Sequence, residues 1–247
     1  HHEQACAMAA EAYARLGNKM AAVCVTTGPG ATNAITGVLG AWMDSIPMLV
    51  FSGQARYATT VSASGLPLRS MGVQECNIVP VVKSLTKYAH MIVHPENIRY
   101  HLEKALYLAV NGRPGPVWLD IPLDVQGAVI ETDDLKAYDP EENPEQQPRE
   151  IKDETVEQIL DKLQESKRPV LSPGNGVRLA GAHEDFYQLA ELLGVPVVTG
   201  MSSVDAIESD HPLFVGRSGG TGTRPGNFAL QNSDVLLSLG KIGRAHV

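Results

Sequence analysis

Six consecutive residues, Gly28-Pro29-Gly30-Ala31-Thr32-Asn33, stand between one short apolar run and a longer apolar stretch. A glycine turn joining a strand to a helix lets a ligand reach the backbone and presents the helix's N-terminal amides to it. The pattern is neither a GxGxxG nor a phosphate loop with its lysine, so spacing alone fits a plain tight turn equally well. Glu3 falls in what reads as the first turn of a helix, where the helix dipole alone accounts for an acidic residue. His1 and His2 beside it are equally consistent with tag residues. Cys6, Cys24 and Cys76 are odd in number, far apart and without a CxxC. They argue against a disulfide framework or structural zinc site, fit a reducing cytoplasm, and are expected to be small buried apolar residues.

The elements that must position these residues alternate in type. His1–Arg15 has helical character and ends at Gly17-Asn18. Ala21–Thr26 reads as a buried strand, Ala31–Met43 as a helix opened by the glycine turn, and Pro47–Ser52 as a strand. Glu96–Val110 reads as an amphipathic helix with Ile98, Leu102, Ala105, Leu106 and Ala109 on one face, and Val117–Ile121 as a short apolar strand. Strands alternating with helices imply an α/β fold with doubly wound parallel sheets. The chain has 247 residues, 43% apolar and 19% charged, which is enough for two folded domains. Its net charge of −8 argues against a nucleic-acid binder. Met20 to Met43 carries no charge, but its threonines, Asn33 and Gly28-Pro29-Gly30 do not suit a lipid-facing helix. No secretory signal is visible, so a cytoplasmic protein without a membrane partner is expected.

Glu131–Glu150 holds eight acidic side chains and three prolines and reads as an exposed linker. Beyond it the pattern restarts. Thr155–Ser166 reads as a helix with Val156, Ile159, Leu160 and Leu163 inward, then come strand Pro169–Ser172, helix His183–Leu193 and strands Val195–Thr199 and Val235–Leu239. The expected division is a first domain over 1–126, a linker over 127–151, a truncated Rossmann-like central domain over 152–241 and a non-native tail over 242–247. That tail, IGRAHV, matches a reading frame of a common sequencing adapter. A strand is expected upstream of the first helix, and exposed sheet edges should leave this stretch by itself inactive and poorly soluble.

Taken in order, HEQ-x4-AAE-x-YAR, TTGPGATN, Asp44-Ser45-Ile46-Pro47, SGQ, GVQE and NGRPGPVWLDIP resemble the thiamine-diphosphate-dependent enzymes, specifically the acetolactate synthase large-subunit group. The resemblance runs from His1 to about Gly240 and makes the first domain the pyrimidine-binding one. It implies that Glu3 hydrogen-bonds N1′ of the thiamine diphosphate aminopyrimidine. The carboxyl proton would favour the imino tautomer, whose 4′-nitrogen takes the proton from thiazolium C2. A poorly solvated pocket would raise the pKa of Glu3 to suit this sharing. It also implies that Gly28, Pro29, Gly30 and Asn33 support the pyrimidine ring, that Gln74 lies close to cofactor and substrate, and that Ser45 reaches flavin in the flavin-containing members.

The central domain binds FAD in acetolactate synthases, which implies candidate FAD contacts at Gly174-Asn175-Gly176, Gly200 and Met201 after Thr199, and Gly219, Gly220 and Thr221. Turns at the carboxyl ends of parallel strands are where dinucleotides bind, although every α/β domain also needs tight turns there. The family's GDG…N motif, which holds the diphosphate through Mg2+, does not occur in these residues, so metal ligands would come from a further domain. The implied activity is decarboxylation of a pyruvate-like 2-oxo acid and transfer of its acyl carbanion to an acceptor, in a homodimer or tetramer. An oxidase, decarboxylase or lyase of the same superfamily, or a non-catalytic nucleotide-binding relative, are the alternatives. Three departures bear on them. Val73 stands where synthases usually carry phenylalanine, Gln54-Ala55-Arg56-Tyr57 replaces a QVPRR-like stretch, and the linker has no clear match to a flavin-holding arginine. Ala63–Met71 also differs from the biosynthetic synthases and suits a different acceptor pocket.

Overall fold

The computed structural model describes residues 2–147 and 150–241; His1, Pro148, Arg149 and the expected tail Ile242–Val247 lie outside the described residues. The chain divides into two compact units, His1–Pro148 and Arg149–Val247. In the first unit, α1 (Glu3–Gly17), β1 (Ala21–Val25), α2 (Pro29–Met43) and β2 (Met48–Gln54) lead to the short helices α3 (Val61–Ser64) and α4 (Ile78–Val82). Then follow β3 (Tyr88–Met91), α5 (Ile98–Val110), β4 (Pro116–Pro122) and α6 (Leu123–Gln126). The four strands form one parallel sheet in the order β1-β2-β4-β3. Ser52 stands level with Asp120 and Gln54 with Pro122. The central strands β2 and β4 are buried along most of their length, as strands covered on both faces must be. Edge strand β1 instead alternates, with Val23 and Val25 buried and Cys24 exposed.

Helices α1 and α2 are packed through small side chains. Ala7, Ala10 and Ala14 face Ala34, Gly37, Val38 and Ala41, and a Cβ added at Gly37 would lie 2.6 Å from that of Ala7. Such faces let two helix axes approach closely, which brings both N-termini to the same end of the sheet. Gly28, at φ 58°, turns the chain out of β1, and Pro29 at the first helical position starts α2 where no amide partner is needed. Arg15 ties the far ends together through Glu11 and Asp44, each at 2.7 Å.

The second unit runs α7 (Asp153–Glu165), β5 (Pro169–Pro173), α8 (Asn175–Leu179), α9 (His183–Leu193), β6 (Val197–Thr199), β7 (Phe214–Arg217), α10 (Arg224–Asn232) and β8 (Val235–Leu239). Its sheet is parallel in the order β7-β6-β5-β8. Both units are therefore α/β with parallel sheets.

Several details correct the sequence reading. On α5 the buried residues are Ala105, Leu108 and Ala109, whereas Leu106 is exposed. No residue of α7 is buried, and Val156 and Leu160 stand open to solvent. Cys6 and Cys24 are exposed and Cys76 is half-buried, because two of them sit on outward positions of α1 and β1. The acidic segment is not free over its first half. Tyr138 is buried against the rings of Tyr100 and Tyr107, its amide donates to Glu103, and Arg99 donates to the Leu135 carbonyl. An aromatic anchor inside an acidic run, laid against the rings and cations of α5 and joined to it by these bonds, docks this stretch. Among the described residues no helix is long and apolar enough to cross a membrane.

Candidate functional site

The carboxyl ends of β1 and β2, the N-termini of α1 and α2, and the segment around Gln74 converge. His2 caps α1 through Nδ1, which accepts from the Gln4 amide. This places Glu3 in the first turn, where Asn33 Nδ2 donates to its Oε2 at 3.1 Å. A Cβ built on Gly30 would lie 2.6 Å from Thr26 Cγ2 and 3.4 Å from Glu3 Oε1, so Glu3 lies over the glycine turn. A Cβ on Gly28 would sit 2.2 Å from the Gln74 carbonyl oxygen. The turn thus needs glycine twice, once for its positive φ and close approach to Gln74, once for its contact with the end of β1. Gln74 itself is held at φ 56°, a left-handed conformation that a non-glycine residue adopts only under constraint.

The constraint is visible in the loop. Glu75 accepts three backbone amides, from Val61 through Oε1 and from Met71 and Gly72 through Oε2, at 2.8 to 3.0 Å. These amides hold its carboxyl below the usual range against the opposing effect of desolvation. The same staple fixes the departure segment Ala63–Met71 and leaves Val73 85% exposed beside Gln74. Beneath the loop lies a polar chain that crosses the sheet. Trp118 Nε1 donates to Ser52 Oγ (2.8 Å), Ser52 Oγ to Asp120 Oδ1 (2.6 Å), and Gln54 Nε2 to Asp120 Oδ2 (3.0 Å). Asp120 is fully buried, and burial pushes its carboxyl up to about 6 while the Ser52 and Gln54 donors pull the other way. Gln54 and Asp120 carry no role in the sequence reading. A lone aspartate inside the apolar run VWLDIP is the available signal, since such a group is buried only with partners.

Glu3 departs from expectation in its protonation. It is half-buried at most, and its own backbone amide together with Asn33 holds its carboxyl below the ordinary range rather than above it. Among the described residues the burial of Glu3 is too slight for desolvation to outweigh these hydrogen bonds.

Ser45 is not part of the cluster. It follows α2 at the opposite end from Gly28, buried and at φ 61°, with Arg113 Nε donating to its Oγ at 2.8 Å. A fifteen-residue helix separates the two places by about 22 Å.

In the second unit the three glycine turns stand at the carboxyl ends of β5, β6 and β7. Gly174 and Gly176 are filled by the chain itself: the amide of Gly176 donates to the Gly240 carbonyl at 2.8 Å, and a Cβ on either glycine would strike that oxygen. Ser203 accepts from the Gly200 amide and donates to the Pro173 carbonyl, joining the first two turns. Gly219 is clamped by Asn227 at both its amide and carbonyl, Gly220 faces open space, and the Thr221 hydroxyl lies 3.7 Å from Met201 Sδ. Gly200, Met201 and the Gly219–Thr221 turn therefore lie together, while the Gly174 turn is packed against the end of β8. Among the described residues no group of three or more metal-ligating side chains occurs.

Two family models match this chain. One is the thiamine pyrophosphate enzyme N-terminal TPP binding domain, over residues 1–81, and the other the thiamine pyrophosphate enzyme central domain, over 156–244. The acetolactate synthase large subunit of Corynebacterium glutamicum is 37% identical over 244 residues, covering 97% of this chain and 37% of that protein. The corresponding subunit of Lactococcus lactis is 35% identical over 240 residues, and Zea mays acetolactate synthase 2, chloroplastic, 36% over 246. Each again covers 97% of this chain, but only 40% and 36% of the relative. The chain thus spans about two fifths of the length of the curated relatives it matches.

Proposed function

Because the chain belongs to the thiamine pyrophosphate enzyme family, we propose that its first unit holds the aminopyrimidine of thiamine diphosphate and supplies the carboxyl group that activates it. The observation that carries this reading is the placement of Glu3, fixed on one oxygen by Asn33 and with the other turned over the Gly30 turn. An acceptor carboxylate beside a side-chain-free turn suits a flat ring bearing a protonatable nitrogen. When bound, thiamine diphosphate supplies the carbon nucleophile that adds to a 2-oxo acid and holds the electrons freed by decarboxylation. Glu3 holds or returns a proton at the ring nitrogen, Asn33 fixes the carboxylate's direction, and Gly28 to Gly30 bring the backbone against the ring's face. Gln74, presented by the Glu75 staple, orients the cofactor or the substrate. Covering of Glu3 by the ring and by a second subunit would reverse the low pKa it has alone, by desolvation.

For the whole protein we propose decarboxylation of a pyruvate-like 2-oxo acid with transfer to an acceptor, in a homodimer or tetramer, with Mg2+ held outside this chain. Flavin, if bound, meets Gly200, Met201 and the Gly219–Thr221 turn rather than Gly174. The test is product analysis of the full-length enzyme with pyruvate, thiamine diphosphate and Mg2+. Acetolactate is the expected product. Acetaldehyde or acetyl phosphate instead would move the protein to a decarboxylase or oxidase, and no turnover of any 2-oxo acid would overturn the reading.

A further inference from the structure

Gln54 has a side-chain amide in which every hydrogen-bonding position is filled, and its two ends face different parts of the site. Its Oε1 accepts from the Thr27 hydroxyl (2.9 Å) and the Ala55 amide (3.0 Å), and its Nε2 donates to the Cys76 carbonyl (2.7 Å) and to Asp120 (3.0 Å). Thr27 immediately precedes Gly28, and Cys76 follows Gln74 by two residues. One amide therefore bridges the glycine turn and the Gln74 segment. Its orientation is dictated from below. Indole Nε1 of Trp118 can only donate, so the Ser52 hydroxyl receives that bond and must send its own hydrogen to Asp120. Asp120, ionised at neutral pH, then accepts from Ser52 with one oxygen and from Gln54 with the other. A flipped Gln54 amide would set oxygen against both Asp120 and the Cys76 carbonyl, and NH2 against the Ala55 amide.

We infer that Gln54, oriented by Asp120, is a positioning residue: it locks the Gly28 turn and the Gln74 segment into one surface against which the cofactor ring is aligned. The inference rests on the reading that this surface holds thiamine diphosphate. The contact of Gly28 with the Gln74 carbonyl supplies the mechanical reason. No side chain at position 28 would fit between the turn and the Gln74 carbonyl, and Gln54 bonds to both segments, at Thr27 and at Cys76, beside the longer Thr27–Gln74 contact of 3.4 Å.

The test compares variants of the full-length enzyme. Gln54→Met keeps the side-chain length and removes all four hydrogen bonds. Thr27→Val removes the turn's bond to Gln54 Oε1 together with the longer contact of the same hydroxyl to the Gln74 carbonyl at 3.4 Å, and leaves the other three Gln54 bonds in place. Val50→Ala, on the same strand and fully buried, is the stability control. In the cofactor-free protein, amide exchange across residues 72–77 should quicken about tenfold in Gln54→Met and remain unchanged in Val50→Ala. With saturating cofactor, proton exchange at C2 should slow about 10- to 100-fold in Gln54→Met and about threefold in Thr27→Val. Equal effects of Gln54→Met and Val50→Ala at matched loss of thermal stability would reduce Gln54 to ordinary packing and overturn the inference. A wild-type enzyme that exchanges normally separates that outcome from failure of the functional reading. A wild type without cofactor-dependent exchange would remove both.

Discussion

Replacing Asp120 by asparagine should abolish one defined component of the pH dependence of stability. The folded-state carboxyl titrates at about 6, against an ordinary aspartate value of 3.8, because desolvation outweighs the donors from Ser52 and Gln54. A group whose pKa is raised by folding contributes stability below its unfolded pKa and loses it as pH rises through the folded value. A rise of this size corresponds to about 3 kcal/mol in all, and roughly half of that is lost above about pH 5. The amide in Asp120→Asn cannot ionise, so the wild-type stability relative to the variant should fall by ~1.5 kcal/mol between about pH 5 and pH 8. The comparison cancels the opposite slopes of Glu75 and Asp124, whose backbone donors lower their values. Urea unfolding followed by tryptophan fluorescence is the assay, because both tryptophans, Trp42 and Trp118, lie in the first unit and Trp118 is fully buried. A wild-type-minus-variant difference that stays flat across this range would refute the buried-carboxylate account of the network.

Two other perturbations probe the surroundings of the site. Gly28→Ala places a methyl group where φ is 58° and 2.2 Å from the Gln74 carbonyl, and should cost about 2 kcal/mol in urea melts while weakening thiamine diphosphate binding by titration. Tyr138→Ala removes the anchor of the acidic strap, and should cost about 2 kcal/mol and open Lys136 to trypsin, read as cleavage within 131–147 under native conditions.

What can be read in the sequence is what repeats or clusters locally. The strands and helices around Gly28 announce themselves by apolar runs bounded by glycine, and their observed bounds differ from expectation by a few residues. Strand β3 gives no such signal: Tyr88-Ala89-His90-Met91 is an edge strand of only four residues, none fully buried. Strand β7 and helix α10 are hidden by Gly216, Pro225 and Gly226, which look like loop residues but serve a bend at φ 143° and a helix start. The inward face expected on α7 follows its periodicity, but periodicity does not show whether anything packs against that face. Glu3, Gly28, Gly30 and Asn33 meet because two adjacent helices share an end, a relation the chain order makes plain. The Gln54–Asp120 bond joins residues 66 positions apart. It depends on the register between β2 and β4, which no local pattern discloses. Resemblance assigns Ser45 to flavin rather than to the pyrimidine ring, and it lies at the far end of α2 from Gly28.

Glu3 remains the residue on which the functional account turns. The most direct measurement is hydrogen–deuterium exchange at C2 of thiamine diphosphate bound to the full-length enzyme, compared between wild type and Glu3→Gln at saturating cofactor. A glutamine cannot share the carboxyl proton, so exchange should slow by about 100- to 10,000-fold while the cofactor still binds. Exchange at the wild-type rate in the variant would contradict the assignment of Glu3 as the activating acid.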